Sequence, residues 1–312
     1  MLGRIKEPNT VAGLLAVFTL VLMSMLLTPA VEAARAPPAD PAIAYFTGGT
    51  TSKLAVMNAD GSNTASIYSQ FGCEPHYASW SPDGKAIAFR KTCNVPPYTR
   101  TLWRIDVSVV NGVPTGSNAR QLTAACGACY DSAWSPTGDV IAVAGGNNPP
   151  SIFLVDANTG TTTTLYTAVP GSNVLYVAWS SDGTRLAVAE DDSSGLDMIR
   201  IVERATGKVV KTLIPGLLFY NIVFIDWARQ GVEKLAIGVD ATPTSTRSIY
   251  TVDIATETYT RIVDGNAPAW SPDNSKLAFN TSRSQGGLVT IELATGIITK
   301  VGGGSFPDWR RF

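Results

Sequence analysis

Histidine is almost missing from this 312-residue chain: His76 is the only one. Metal sites built from several histidines are thereby excluded, and a Ser-His-Asp triad has no base other than His76 to draw on. No specific serine or aspartate stands out as its partner, so a loop or pocket-lining histidine is the simpler expectation. The Gly-x-Ser-x-Gly motif is also missing, so the strained turn that presents a nucleophilic serine has no counterpart. Charge is scarce as well. Asp, Glu, Lys and Arg make up 16% of the residues and balance to a net −1, without the basic footprint of a nucleic-acid binder.

What is abundant points to turns and strands. Glycine (28) and proline (19), with many Ser and Thr, suit an exported all-β domain. Arg4 and Lys6 precede an apolar run at residues 11–27, and Val31-Glu32-Ala33 offers small residues for cleavage. Residues 1–33 therefore read as a secretory signal peptide, and the protein as periplasmic or secreted. The alternative is an uncleaved anchor, because the apolar run is at the short edge of what spans a bilayer. No other membrane attachment is expected, since no cysteine stands near the cleavage point to carry a lipid. Residues 34–41, rich in Ala and Pro, read as a short tether, and residues 42–312 as one domain.

Within that domain one pattern recurs. Trp80-Ser81-Pro82-Asp83-Gly84 leads to Ile87-Ala88-Phe89, and Trp134-Ser135-Pro136-Thr137-Gly138 to Ile141-Ala142-Val143. Trp179-Ser180-Ser181-Asp182-Gly183 leads to Leu186-Ala187-Val188, and Trp270-Ser271-Pro272-Asp273-Asn274 to Leu277-Ala278-Phe279. A degenerate copy runs from Trp227 to Leu235-Ala236-Ile237, and a truncated one is Pro307-Asp308-Trp309. The tryptophans stand 39 to 54 residues apart, the period of four-stranded propeller blades. In Ser-Pro-Asp-Gly, proline presets the second turn position and glycine accepts a left-handed conformation at the fourth, a hairpin signal with a mechanism. Third strands follow at 54–57, 102–105, 152–155, 198–201, 249–252 and 288–291. Fourth strands follow at 66–69, 120–123, 162–166, 209–213, 259–263 and 297–301. The strands after each turn are continuously apolar, as expected of sheets buried on both faces. The tryptophans themselves should fill equivalent places between blades. Ile43-Ala44-Tyr45-Phe46 matches a second strand lacking its Trp strand, while Phe306-Pro307-Asp308-Trp309 is a Trp strand with nothing after it. Pairing the two predicts a six-bladed β-propeller closed by its N- and C-terminal strands, with no open sheet edge.

Trp-Ser-Pro-Asp-Gly-x-x-Ile-Ala-Phe, together with Val56-Met57-Asn58-Ala59-Asp60-Gly61-Ser62, resembles the repeat of TolB-type propellers over essentially all of residues 42–312. TolB itself carries an extra N-terminal α/β domain, for which no counterpart is expected here. The resemblance implies a periplasmic or secreted propeller that serves as a protein-interaction platform, with the Trp strand innermost in each blade. With a single histidine, the His-rich propeller lyases of the superfamily are a poor match. The expected function is thus non-enzymatic binding of a protein partner at the cell envelope, by a monomer. The competing expectation is a lyase or hydrolase acting on a glycan or small ester through channel carboxylates and a divalent metal.

Aligned on tryptophan, the preceding residues are Ser79, Ala133, Ala178, Asp226, Ala269 and Asp308; three positions before it stand Tyr77, Asp131, Tyr176, Phe224, Ala267 and Phe306. With the Trp strand innermost, Asp131, Asp226 and Asp308 approach the central channel. They are candidates for holding Ca²⁺ or Mg²⁺ through oxygen, although hydrogen bonding to strand ends is the simpler use and no cofactor is required. Candidates for partner binding lie on the loops leading into the Trp strands: Glu74, His76 and Tyr77, then Tyr130 and Asp131, then Asn173 and Tyr176, then Tyr220 and Asn221. These share one face of the disc, opposite the Ser-Pro-Asp-Gly hairpins, and combine aromatic with polar side chains as contact surfaces do. All four cysteines fall nearby. An even count in an exported protein reads as disulfides, and Cys73–Cys93 with Cys126–Cys129 is the expected pairing of three possible ones. A Cys₄ zinc site is the alternative, but Cys73 and Cys93 are too far apart for a zinc ribbon.

Overall fold

A computed structural model describes residues 42–48, 51–96, 98–124, 129–145, 149–192, 194–214, 219, 221–240, 246–281 and 287–311. The expected signal peptide and tether, and with them Cys126 and Tyr220, lie outside the described residues. No described helix is long and apolar enough to cross a membrane.

The described residues form β-strands only, arranged as six four-stranded antiparallel sheets. Blade I contains β1 (Ile43–Thr47), β2 (Lys53–Met57) and β3 (Ala65–Ser69), and takes its innermost strand, β24 (Ser305–Trp309), from the far end of the domain. Blade II is β4 (Cys73–Trp80), β5 (Ala86–Cys93), β6 (Thr99–Val110) and β7 (Val113–Gln121). Blade III is β8 (Cys129–Trp134), β9 (Val140–Gly145), β10 (Ser151–Asp156) and β11 (Thr162–Thr167). Blade IV is β12 (Asn173–Trp179), β13 (Arg185–Asp191), β14 (Asp197–Glu203) and β15 (Val209–Leu213). Blade V is β16 (Asn221–Trp227), β17 (Lys234–Asp240), β18 (Arg247–Asp253) and β19 (Tyr259–Asp264). Blade VI is β20 (Asn266–Trp270), β21 (Lys276–Asn280), β22 (Gly287–Glu292) and β23 (Ile298–Gly303). The anticipated closure is present: Ile43 pairs with Trp309 and Ala44 with Asp308.

Small and large side chains alternate between blades. All six repeat tryptophans are 4% exposed or less. Each falls in a core cluster with the alanine of the preceding blade's second strand. Trp80 is clustered with Ala44, Trp134 with Ala88 and Trp179 with Ala142. Likewise Trp227 is clustered with Ala187, Trp270 with Ala236 and Trp309 with Ala278. Every blade interface thus has its own apolar core, and an alanine leaves the room an indole fills.

The turns follow their chemistry. Ser81 Oγ donates to Asp83 Oδ1 at 2.6 Å and accepts from Ala86 N–H at 2.9 Å, while Gly84 has φ +68°. The arrangement recurs at Ser180 and Ser271, and Asn274 takes the left-handed place of glycine at φ +60°. One element differs from expectation. The fourth strand of blade II, expected at 120–123, contains Arg120 and Gln121 but begins upstream, at Val113. Asn111 and Gly112 both have positive φ (52° and 80°), the two-residue type I′ turn whose twist matches a hairpin, and it extends β6 and β7 outward.

The disulfide Cys73–Cys93 is present and joins residues directly opposite each other on β4 and β5. Cys129 is also disulfide-bonded; with Cys126 outside the described residues, its expected pairing is not resolved further.

Two stability predictions follow from these interfaces. Trp309→Ala empties the pocket between blades VI and I and should cost roughly 3–5 kcal/mol; a thermal melt indistinguishable from wild type would show that this closing strand is not docked. Reduction of Cys73–Cys93, which encloses a loop of about 20 residues, should lower stability by roughly 3 kcal/mol on the loop-entropy model, read as a shift in the denaturation midpoint with reductant.

Candidate functional site

The expected lead-in residues sit on the inner strands themselves, not on loops. Glu74, His76 and Tyr77 belong to β4, Tyr130 and Asp131 to β8, Asn173 and Tyr176 to β12, and Asn221 to β16. Glu74, His76, Asp131, Asn173, Tyr176 and Asn221 pair with the second strand of their blade, so the loops before them are shorter than the sequence suggested.

What turns some of them inward is a register break at one position in all six inner strands. The ladder shifts between His76 and Ser79, Cys129 and Asp131, Val174 and Tyr176, Ile222 and Phe224, and Asn266 and Ala269, and opposite Ala44–Phe46 in blade I. The residue three before tryptophan lies at or within each break. At Tyr77, Ala267 and Phe306 the backbone is left-handed, with φ of 53°, 53° and 54°. Non-glycine residues rarely adopt that region, and its use at three of the six equivalent positions accompanies the local bulge.

These bulges gather aromatic rings over the channel. Phe224 lies 4.8 Å from Tyr176, 5.2 Å from Phe306 and 5.9 Å from Tyr77, centroid to centroid, and Tyr77 lies 5.7 Å from Phe306. His76 extends the cluster toward Phe46 at 5.8 Å. Its Nε2 is 3.1 Å from Glu74 Oε2, yet burial and the nearby Arg90 lower its pKa, which keeps the imidazole neutral at physiological pH. Arg90 was not anticipated. Its guanidinium lies 4.4 Å from the Tyr77 ring centroid and donates to the carbonyls of Cys129 and Tyr130 at 3.1 Å each. No other repeat carries an arginine at that place, so the sequence offered no signal for it. Tyr130 thus joins through its backbone, while Asn173 is tied at the rim by Nδ2 bonds of 2.9 and 3.0 Å to Asp191. Asn221 pairs with Asp240 at the start of its ladder.

The three channel carboxylates do line one central cavity together with Tyr77, Phe224 and Phe306. Each is committed to the neighbouring blade. Asp308 Oδ2 accepts the Trp80 N–H at 2.8 Å, Asp226 Oδ2 the Trp270 N–H at 2.8 Å, and Asp131 Oδ2 the Val177 N–H at 3.1 Å. Ser79 Oγ does the same for the Trp134 N–H at 2.8 Å. Asp226 is further held by Arg229, whose Nη1 and Nη2 lie 2.9 and 3.0 Å from its two oxygens. Among the described residues no three His, Cys, Asp or Glu side chains converge as a metal cluster. The carboxylates work as interblade fasteners. Burial pushes the Asp131 carboxyl up to about 7 and Asp308 up to about 6, against the N–H bonds that oppose the shift.

With this geometry in hand, similarity to known proteins can be placed. Residues 133–230 match the family described as the anaphase-promoting complex subunit 4 WD40 domain. No curated protein sequence matches the chain. TolB from Acinetobacter baumannii superposes with a TM-score of 0.66 at 19% identity, over 89% of this chain and 69% of TolB. The WD40 domain of Toxoplasma gondii coronin gives 0.53 at 14% identity, over 85% of this chain and 68% of that one. A prolyl endopeptidase gives 0.51 at 13% identity over 85% of this chain, which spans only 40% of the peptidase. These likenesses support a β-propeller, and at such identities they speak to fold alone.

The raised carboxyl pKa values give a pH prediction. A carboxyl whose pKa rises on folding holds more protons folded than unfolded, so its contribution to stability falls as pH climbs from about 4 to about 7. Asp131→Asn keeps an oxygen acceptor for Val177 but removes the buried charge. Its stability should be flatter over that window, exceeding wild type near pH 8 by on the order of 1 kcal/mol; parallel wild-type and variant curves in urea titrations would contradict this.

Proposed function

We propose that this propeller is a non-enzymatic, exported platform that binds a protein partner on its lead-in face. The observation that carries the reading is where the strongly exposed aromatic side chains stand. Phe71, in the turn before β4, is 82% exposed, and Tyr98, between β5 and β6, is 75% exposed. Val95, Val169 and Ile214 are exposed on the same face. Gly72 lies against the Val95 side chain, so Phe71 and Val95 share one patch. The half-buried Tyr77, Tyr176, Phe224 and Phe306 lie inward of that rim. Aromatic anchors with Arg and His among them match the composition of protein-binding surfaces.

The Cys73–Cys93 bridge supports both parts of the reading. It fixes the root of the Phe71 loop against the strand that leads to Tyr98, and structural disulfides persist in oxidising compartments such as the periplasm or the extracellular space. The TolB-like repeat and fold are consistent with an envelope partner.

The test is site-specific photo-crosslinking in the native host. A crosslinker at Phe71 or Tyr98 should trap one discrete protein, and one at the outer-strand residue Val209 should not. Phe71→Glu combined with Tyr98→Glu should weaken capture about tenfold or more while leaving the melting temperature unchanged. Equal adducts from all three sites, or capture unaffected by the double substitution, would refute the reading.

A further inference from the structure

Charge is unevenly spread over the lead-in face. Blades I and II bring four cations to it against one acid. Lys53 opens β2, Arg90 and Lys91 lie toward the end of β5, and Arg100 stands near the start of β6, with Glu74 as their counter-charge. Lys53 and Arg100 are exposed. Blade IV reverses the sign. Glu190 and Asp191 end β13, Asp192 follows, and Asp197 opens β14, against Arg200 alone. Arg200 is spent on Glu190 at 2.6 Å, which leaves the three aspartates in excess. Blade V is balanced, because Asp240 pairs with Arg247 and Asp264 with Arg261.

Like charges crowd within each pole. Burial first, and then the charge of Arg100, lowers the pKa of Arg90; burial first, and then Asp191, raises that of Asp197 to about 6. A surface of opposite charge relieves such crowding. Each pole also has exposed apolar side chains beside it: Phe71, Val95 and Tyr98 by the cations, Val169 and Ile214 by the acids.

The two poles are symmetrically placed. Inner strands β4 and β12 both pack against β8, so blades II and IV flank blade III. A two-fold axis lying in the face along the line from blade III to blade VI sets blade II of one copy over blade IV of the other, and does so twice. A face that carries both halves of a contact at mirrored positions is complementary to itself, as a two-fold interface requires. A foreign partner demands no such symmetry.

We propose that the lead-in face binds a second copy of this chain, face to face, with blade II of each copy on blade IV of the other. Arg100 then meets Asp191 and Asp192, and the Phe71 and Tyr98 patch packs on Val169 and Ile214. The assignment rests on the platform reading and names its partner.

Sedimentation velocity of the protein purified from its host tests it. A concentration-dependent dimer is expected at low salt, with a dissociation constant about tenfold or more higher at high salt, because the poles attract through charge. Arg100→Glu and Asp192→Lys should each give a folded monomer, since like charges then face each other. An equimolar mixture of the two variants should dimerise again, because the two altered poles attract and the two untouched poles meet as before. Should Asp192→Lys fail to fold, Ile214→Lys puts a cation on the same pole without disturbing the Asp192 turn and takes its place in the mixture. A protein monomeric at low salt, a dimer indifferent to salt, or a mixture of folded variants that stays monomeric would overturn the assignment. A monomer whose Phe71 crosslinker still traps a different protein loses only the second copy. A monomer whose Phe71 crosslinker traps nothing loses the platform as well.

Discussion

Packing of one blade's tryptophan beside the alanine of the blade before it is the constraint from which the rest of this molecule follows. Trp227 and Ala187, or Trp309 and Ala278, occupy one apolar cluster at each interface. An indole is large enough to fill the gap between two twisted sheets, and only a small residue opposite leaves that gap. Repeating the pair six times turns a chain of hairpins into a ring. The same requirement explains why blade I is assembled from both ends of the domain: without β24 the Ala278 site would face water, and β1 would present an open edge.

Ring closure places the first strand of every blade around one axis, and those strands carry two opposing demands. They must pair with their neighbours, and they must also present side chains into a narrow channel. The bulge three residues before each tryptophan reconciles these demands at the cost of left-handed backbone at Tyr77, Ala267 and Phe306. Below it, Asp308, Asp226 and Ser79 reach across to the tryptophan N–H of the following blade. Polar groups in the channel are therefore first of all structural. A few buried nitrogens there make no hydrogen bond, among them Arg229 Nε and Arg311 Nη1.

The sequence spelled out the fold almost completely because the fold is a repeat. Trp-Ser-Pro-Asp-Gly carries its own turn, the alanines mark the second strands, and the unmatched strands at 43–46 and 306–309 announce the closure. It was silent where a feature occurs once. The long hairpin of blade II depends on Asn111-Gly112, a turn signal with no counterpart in other blades. The Cys73–Cys93 bond was legible because both residues lie at the same end of one hairpin. The site was legible only in part. Tyr77, Asp131 and Tyr176 were found by alignment on tryptophan, but the bulge that turns them inward has no residue signature, and Arg90 reaches Tyr77 from a second strand by tertiary contact alone.

The two faces of the disc thus differ in kind. One exposes aromatic residues braced by a disulfide, and the other carries the turns that follow each tryptophan. Both depend on the ring being closed. Hydrogen exchange read residue by residue tests that dependence most directly. The amides of β1 should be protected to the same degree as those of β17, a strand in the middle of an uninterrupted blade, because each is paired on both sides. Rapid exchange along β1 alongside a protected β17 would contradict the closed ring.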